Sequence, residues 1–288
     1  MRRAWSKGLG RPKRRNFDAL LAAAVLLAGS LVAALAPAIS PHAPSAQDLA
    51  SALSPPVWSA RGRPEHLLGT DFLGRDVLAR LIYGARISIS IGLATAVASA
   101  TIGGLIGLVS GYVGRAVDKL LMRIVDIQLS VPRILLAIAI VALIGPGVTN
   151  VTAVLVFTGW PVFARVVRGE VLSLREQEFI LAARVMGCPV RLILWRHLLP
   201  NVMGSIIVLA SFAFARAIIA ESSLSFLGIG IQPTTPTWGG MLSEGQLYMM
   251  VAPWLAACPG LVLMAVVLAA NILGDWLRDV FDPTLRRT

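Results

Sequence analysis

The stretch Ile87–Gly114, ISISIGLATAVASATIGGLIGLVSGYVG, decides the class of fold. It carries no charged residue and exceeds the roughly 20 apolar residues with which an α-helix crosses a hydrocarbon core. Backbone groups in lipid have no water to bond, so such a run must satisfy them internally, as a helix. Comparable charge-free runs occupy Ala19–Ser40, Ile134–Ala164, Leu198–Ala215 and Gly245–Gly274. The 288 residues are 56% hydrophobic and 14% charged, against about 25% charged in a typical soluble domain. The expectation is an all-α membrane protein of about six transmembrane helices, near 18–39, 87–112, 118–143, 148–168, 201–221 and 252–276.

A net charge of +11 raises the question of nucleic acid, and the distribution answers it. With the N-terminus inside, nineteen of the 26 Lys and Arg fall on inner segments, and the outer loops hold only Arg61, Arg63, Arg75, Arg80 and Arg86. Basic residues near span ends set orientation. Both termini are therefore expected in the cytoplasm, with no nucleic-acid partner. The first span has the basic start of a signal peptide and Ala34-Leu35-Ala36 near its end. Its apolar run is too long for one, and Pro37 follows the would-be cut, so it reads as retained. Cys188 falls in an inner loop and Cys258 in a span; both read as free thiols.

The chain divides into a basic tail, 1–16, attracted to anionic lipid; a first span with its outer segment, 17–85; a membrane domain, 86–276, with an inner loop at 170–200; and a cytoplasmic tail, 277–288. In the outer segment, Gly69 and Thr70-Asp71 suggest a turn and helix cap. Val77, Leu78, Leu81 and Ile82 suggest an amphipathic surface helix before span two, or a mere connector. Gly103, Gly107 and Gly111, at four-residue steps, predict close approach of another helix. Gly145-Pro-Gly147 marks a tight outer turn. IGIQPTTPTWGG, within Ser222–Tyr248, reads as a folded loop dipping toward the membrane.

The inner loop contains EFILAARVMGCPVRLILWRHLLPN, 178–201. Over 178–187 the spacing of Phe179, Ala182, Ala183 and Met186 gives one shallow apolar stripe, with Gln177, Leu181 and Arg184 opposite. Gly187 ends this helix and Pro189 suits the start of a second, basic one; Pro200 then begins the next span. The pattern fits either a helix resting on the inner leaflet or one docked on a protein partner, and the alanines favour the partner.

At this point the block resembles the cytoplasmic loop of bacterial binding-protein-dependent ABC permeases, matching at Ala182, Ala183, Gly187, Leu199 and Pro200, with Leu181 where that family carries Glu and Glu178 one turn earlier. The run from His66 through Gly84-Ala-Arg-Ile-Ser resembles the "LGTDxLGRDxxSRLIYGARxS" segment of the dipeptide/oligopeptide/nickel branch. Glu221 to Gly239 resembles its "EAALSFLGLGxQPPxPSWG" loop, and Leu273–Arg286 its C-terminal signature. The similarity runs over about 65–288 and is closest to the second, C-type subunit of the permease pair.

The resemblance implies a type I ABC importer transmembrane domain that moves peptides, with a nickel chelate, glutathione or another small solute as alternatives. The implied partners are a second permease subunit in a heterodimer, two ATP-binding subunits that hold ATP and Mg, and an external binding protein. It makes Glu178, Leu181, Ala182, Ala183, Arg184, Gly187 and Pro200 the ATPase-coupling residues. No GxxxxGK[ST] run exists, so this chain is expected to hold no cofactor and to be no enzyme. Charges inside spans cost about 2.5–3.5 kcal/mol on insertion scales and belong in cavities or pairs. That makes Asp126, Gln128, Arg133, Arg216 and Glu221 translocation candidates, with an Arg133–Asp126 pair as the structural alternative. No nucleophile elbow or metal-binding run is present, and His42, His66 and His197 are expected to lie scattered on both sides; no catalytic and no metal residues are assigned. A passive channel or secondary transporter would show matching broken helices in two halves, and none is evident.

Overall fold

A computed structural model describes residues 12–281. Most of the basic tail (Arg2, Arg3, Lys7 and Arg11 among it) and the end of the C-terminal signature, with Arg286 and Arg287, lie outside the described residues. Among the described residues there is no β-strand, only a single antiparallel bridge between Thr70 and Asp76. The helices are α1 (Pro12–Ile39), α2 (Val77–Val113), α3 (Arg115–Ser130), α4 (Arg133–Ile144), α5 (Val148–Leu174), α6 (Glu178–Val185), α7 (Val190–Leu192), α8 (Leu199–Phe226), α9 (Trp238–Leu247) and α10 (Trp254–Phe281). Five are long and apolar enough to cross a membrane, or six if α3 and α4 form one bent span.

Small residues set the packing, because lipid gives apolar side chains little reason to turn inward. α1 buries Ala19, Ala22, Ala33 and Ala36 and leaves Phe17, Leu20, Leu27 and Leu31 outside. The glycine ladder on α2 meets α5 as expected. A Cβ on Gly107 would stand 2.7 Å from the Ala164 carbonyl, and one on Gly111 2.8 Å from Val171 Cβ. The Arg175 guanidinium donates to the Gly111 carbonyl (3.0 Å), tying the far ends of α5 and α2.

Three expectations fail. Span three is not one helix: α3 and α4 meet at 89° across Val131-Pro132. Proline removes an amide donor and restricts the residue before it to extended backbone, and Val131 has φ −93° and ψ 131°. Arg133 therefore opens α4 instead of lying deep in a straight span. The amphipathic surface helix is simply the first turns of α2, with Val77 and Leu81 buried. Its cap is Asp76, which accepts from Ala79 N at 2.8 Å, not Thr70-Asp71. The basic helix after Pro189 does not stand apart from span five: α7 runs through a widened π turn, Ile193–Leu198, into α8. The Leu199 amide reaches five residues back to Leu194. Pro200, next in line, brings no amide, and its ring crowds the carbonyl of the preceding turn, which the wider turn accommodates.

The loop-rich end of the bundle is held by buried charge. Asp71 Oδ1 accepts from the amides of Leu73 (2.8 Å) and Arg75 (3.0 Å), closing a turn through Gly74 at φ +71°. Asp71 Oδ2 accepts from Arg75 and Arg80, each at 2.6 Å. Both arginines continue to Glu244 on α9, at 3.0 and 2.7 Å. Trp238 caps the arrangement: its indole donates to the Leu81 carbonyl (3.1 Å) and its amide to Ser88 (3.2 Å). The segment 69–80 and the loop after α8 thus interlock; 227–237 is irregular as read, but the rest of the expected 222–248 loop is largely helical, Ser222–Phe226 closing α8 and Trp238–Leu247 forming α9. Cys188 and Cys258 are both free.

Candidate functional site

At the opposite end, α6 lies across the ends of α2, α5 and α8. Its Gly187 has φ +77°, and the reversal there closes two hydrogen bonds of 3.0 Å, Cys188 N to Ala183 O and Gly187 N to Arg184 O. That is a Schellman stop, whose left-handed position favours a residue without Cβ. Ile180 and Ala183 are buried in one cluster with Val171, Ile193 and Leu198. Arg184 stacks over Tyr112 at 4.7 Å from the ring centroid. One side of α6 is thereby fixed to the bundle.

The other side is bare. Leu181 and Phe179 are 42% exposed, Met186 76% and Val185 89%, with Glu178 and Ala182 between them. The stripe read from spacing is corrected in three respects. Ala183 turns inward, Leu181 joins Phe179, Ala182 and Met186 on the open face, and Arg184 folds back onto α2. Ile180 and Val185 were missed. No local signal singled out Ile180, since Phe179–Ala182 and Ile180–Ala183 share the same spacing and only the second pair is buried. Pro200 is exposed at the start of α8 and is not part of α6.

The translocation candidates separate into two groups. Arg133 and Arg216 line one cavity of about 310 Å³ with Ile134, Ala137, Leu155 and Ser223. Arg133 Nε is buried without a hydrogen-bond partner. Among the described residues no carboxylate lies within ion-pair distance of either guanidinium. The other three do not line this cavity. Asp126 pairs with Arg165 on α5, which removes it as the partner of Arg133. Gln128 donates to the Phe157 carbonyl. Glu221 is fully buried at the α8–α9 junction, where Ser225 donates to it at 2.9 Å. Two guanidiniums lining one cavity without a counter-charge have the chemistry to hold an anion, and a carboxylate suits their planar donors.

Comparison with known proteins places this geometry. Residues 103–287 match the model of the binding-protein-dependent transport system inner membrane component family. The chain belongs to that family. It is thus an inner-membrane component of a system that includes a binding protein, and the permease reading of the 178–200 block agrees with it. Relatives are similar over most of their length. A dipeptide transport system permease protein, DppC, of Haemophilus influenzae is 37% identical over 95% of this chain and 93% of its own. Another, of Alkalihalophilus pseudofirmus, is 45% identical over 77% of this chain and 73% of its own. A glutathione transport system permease protein of Pectobacterium atrosepticum is 44% identical over the same shares.

Proposed function

We propose that this permease imports di- or oligopeptides, paired with a second, unlike permease subunit, driven by two ATP-binding subunits and fed by an external binding protein. The observation that carries the reading is α6: an apolar face left open on a helix otherwise anchored to the bundle. Charged side chains would cover such a surface if it met only water. The ATPases, with their ATP and Mg, dock there; this chain does no chemistry. Its only lysines are Lys7, Lys13 and Lys119, and none belongs to a phosphate-cradling loop.

In this reading α6 and both termini are cytoplasmic, and the end bearing Asp71 and Trp238 faces outward, as the basic residues favour. Closure of the ATPase pair displaces α6. The displacement passes through Ile180 and Ala183 to α5 and α8, through Arg184 to α2, and along the continuous α7–α8 backbone. A switch needs contacts that differ between its two states; ATP-bound and ATP-free partners supply them at α6. Arg133 and Arg216 take the C-terminal carboxylate of the peptide. Glutathione, which also carries carboxylates, is the second reading, favoured by that same cavity; competition for uptake between a dipeptide and glutathione separates the two.

The test is a single cysteine at Ala182 in a chain whose Cys188 and Cys258 are Ser, expressed with its ATPases. A membrane-impermeant thiol reagent should label it only in inverted vesicles, and ATPase binding should protect it. Labelling from the outside of intact cells overturns the reading.

A further inference from the structure

We propose that His42, His66 and Asp76 form a binding site for a divalent transition-metal ion of the zinc type. The sequence suggested scattered histidines, but folding brings two together. His42 follows α1, His66 lies 24 residues later in the loop, and their rings stand 5.1 Å apart between centroids. Both aim Nδ1 at one carboxylate oxygen, Asp76 Oδ2, at 2.8 Å from His66 and 3.4 Å from His42. One ligand atom from each of the three lies within 4.8 Å of the other two.

A hydrogen-bond account satisfies only half of this cluster. His66 Nδ1–H donates to Asp76, but His42 Nδ1 is buried with no hydrogen-bond partner. Two ring nitrogens converging on one carboxylate oxygen is the arrangement that a shared cation resolves, replacing both protons. Zinc bonds of about 2.0–2.1 Å at tetrahedral angles put ligand atoms roughly 3.4 Å apart, the separation His42 already has from Asp76, while His66 at 2.8 Å would open slightly on binding. Asp76 is almost wholly buried, and its other oxygen is fixed by the Ala79 amide, so the ligand is oriented before metal arrives. The three line a cavity of about 610 Å³ to which Asp48 and Glu65 also contribute. Arg63 also lines this cavity, where it donates to Ser51 at 2.7 Å. Two imidazoles and one carboxylate suit zinc, copper, nickel or cobalt, and not magnesium or calcium, which take all-oxygen sets. Such an ion would fasten the segment after α1 to the first turn of α2. The inference stands apart from the transport reading.

The experiment uses the full chain purified with its partner permease through a tag free of histidine and stripped with chelator. It is titrated with Co²⁺, read by its visible absorption bands, and then with Zn²⁺ as competitor. One Co²⁺ per chain is expected, displaced by Zn²⁺. His42→Ala removes a side chain that makes no hydrogen bond, so the metal-free melting temperature should hold while Co²⁺ affinity falls at least about tenfold. Asp76→Asn keeps a capping residue on α2 and should lose the metal as well; His197→Ala should keep it. Absence of a cobalt spectrum, or affinity unchanged in His42→Ala, overturns the site.

Discussion

Gly107→Ala, compared with Gly104→Ala on the same helix, tests whether backbone contact between α2 and α5 holds the bundle together. The added methyl at 107 would sit 2.7 Å from the Ala164 carbonyl oxygen, 2.8 Å from Val167 Cβ and 3.0 Å from the Arg168 amide nitrogen. All three belong to the backbone or Cβ of α5, so no flexible side-chain end can yield. Reaching the 3.4 Å at which ordinary contact begins moves α5 away by about 0.7 Å, and a gap of that size forfeits a quarter to a half of each contact it opens. Overpacking of this kind costs about 1–3 kcal/mol. At Gly104 the nearest atom is the mobile Ile206 Cδ1 at 3.4 Å, so that methyl fits. Both substitutions share the helix-propensity gain of about 1 kcal/mol, which cancels in the comparison. Gly104→Ala should therefore unfold about 1–3 kcal/mol later than Gly107→Ala, measured as thermal or denaturant unfolding of the purified permease in one detergent. Equal stability, or a more stable Gly107→Ala, would refute the packing argument.

Other outcomes follow from the two ends of the bundle. Asp71→Ala leaves Arg75 and Arg80 buried with Glu244 alone and should cost about 3–5 kcal/mol, seen as lost accumulation in membranes; wild-type melting would remove the network from the list of stabilising contacts. A Cβ at Gly187 meets no neighbour within 4 Å, so the cost of Gly187→Val, about 1–2 kcal/mol, comes mainly from the left-handed backbone. The substitution should leave the chain assembled while lowering solute moved per ATP hydrolysed, and an unchanged ratio counts against α6 as the coupling element. Arg133→Ala should weaken peptide uptake about ten- to a hundredfold, the worth of a charged hydrogen bond at about 1.5–3 kcal/mol. Arg133→Lys should recover part of it, and normal uptake by Arg133→Ala refutes the carboxylate role.

The linear chain was enough for the class of fold and for the placing of most spans, because lipid leaves no alternative to charge-free helices of sufficient length. It also located the helix break after α6, since Gly187 and Pro189 punctuate the backbone through local sterics, and it foretold the glycine contact of α2. What it could not supply were relations between distant residues. Periodicity over the ten positions from 178 to 187 cannot tell which side of a short helix is anchored; that was decided by Ile193 and Leu198 arriving from the next segment. Hydropathy could not register the bend at Pro132, because composition is blind to direction. Nothing local marked Arg216 as a neighbour of Arg133, or His42 of Asp76. Side chains so far apart in the chain meet only where packing of whole helices brings them, and that packing is set by contacts summed over the entire bundle.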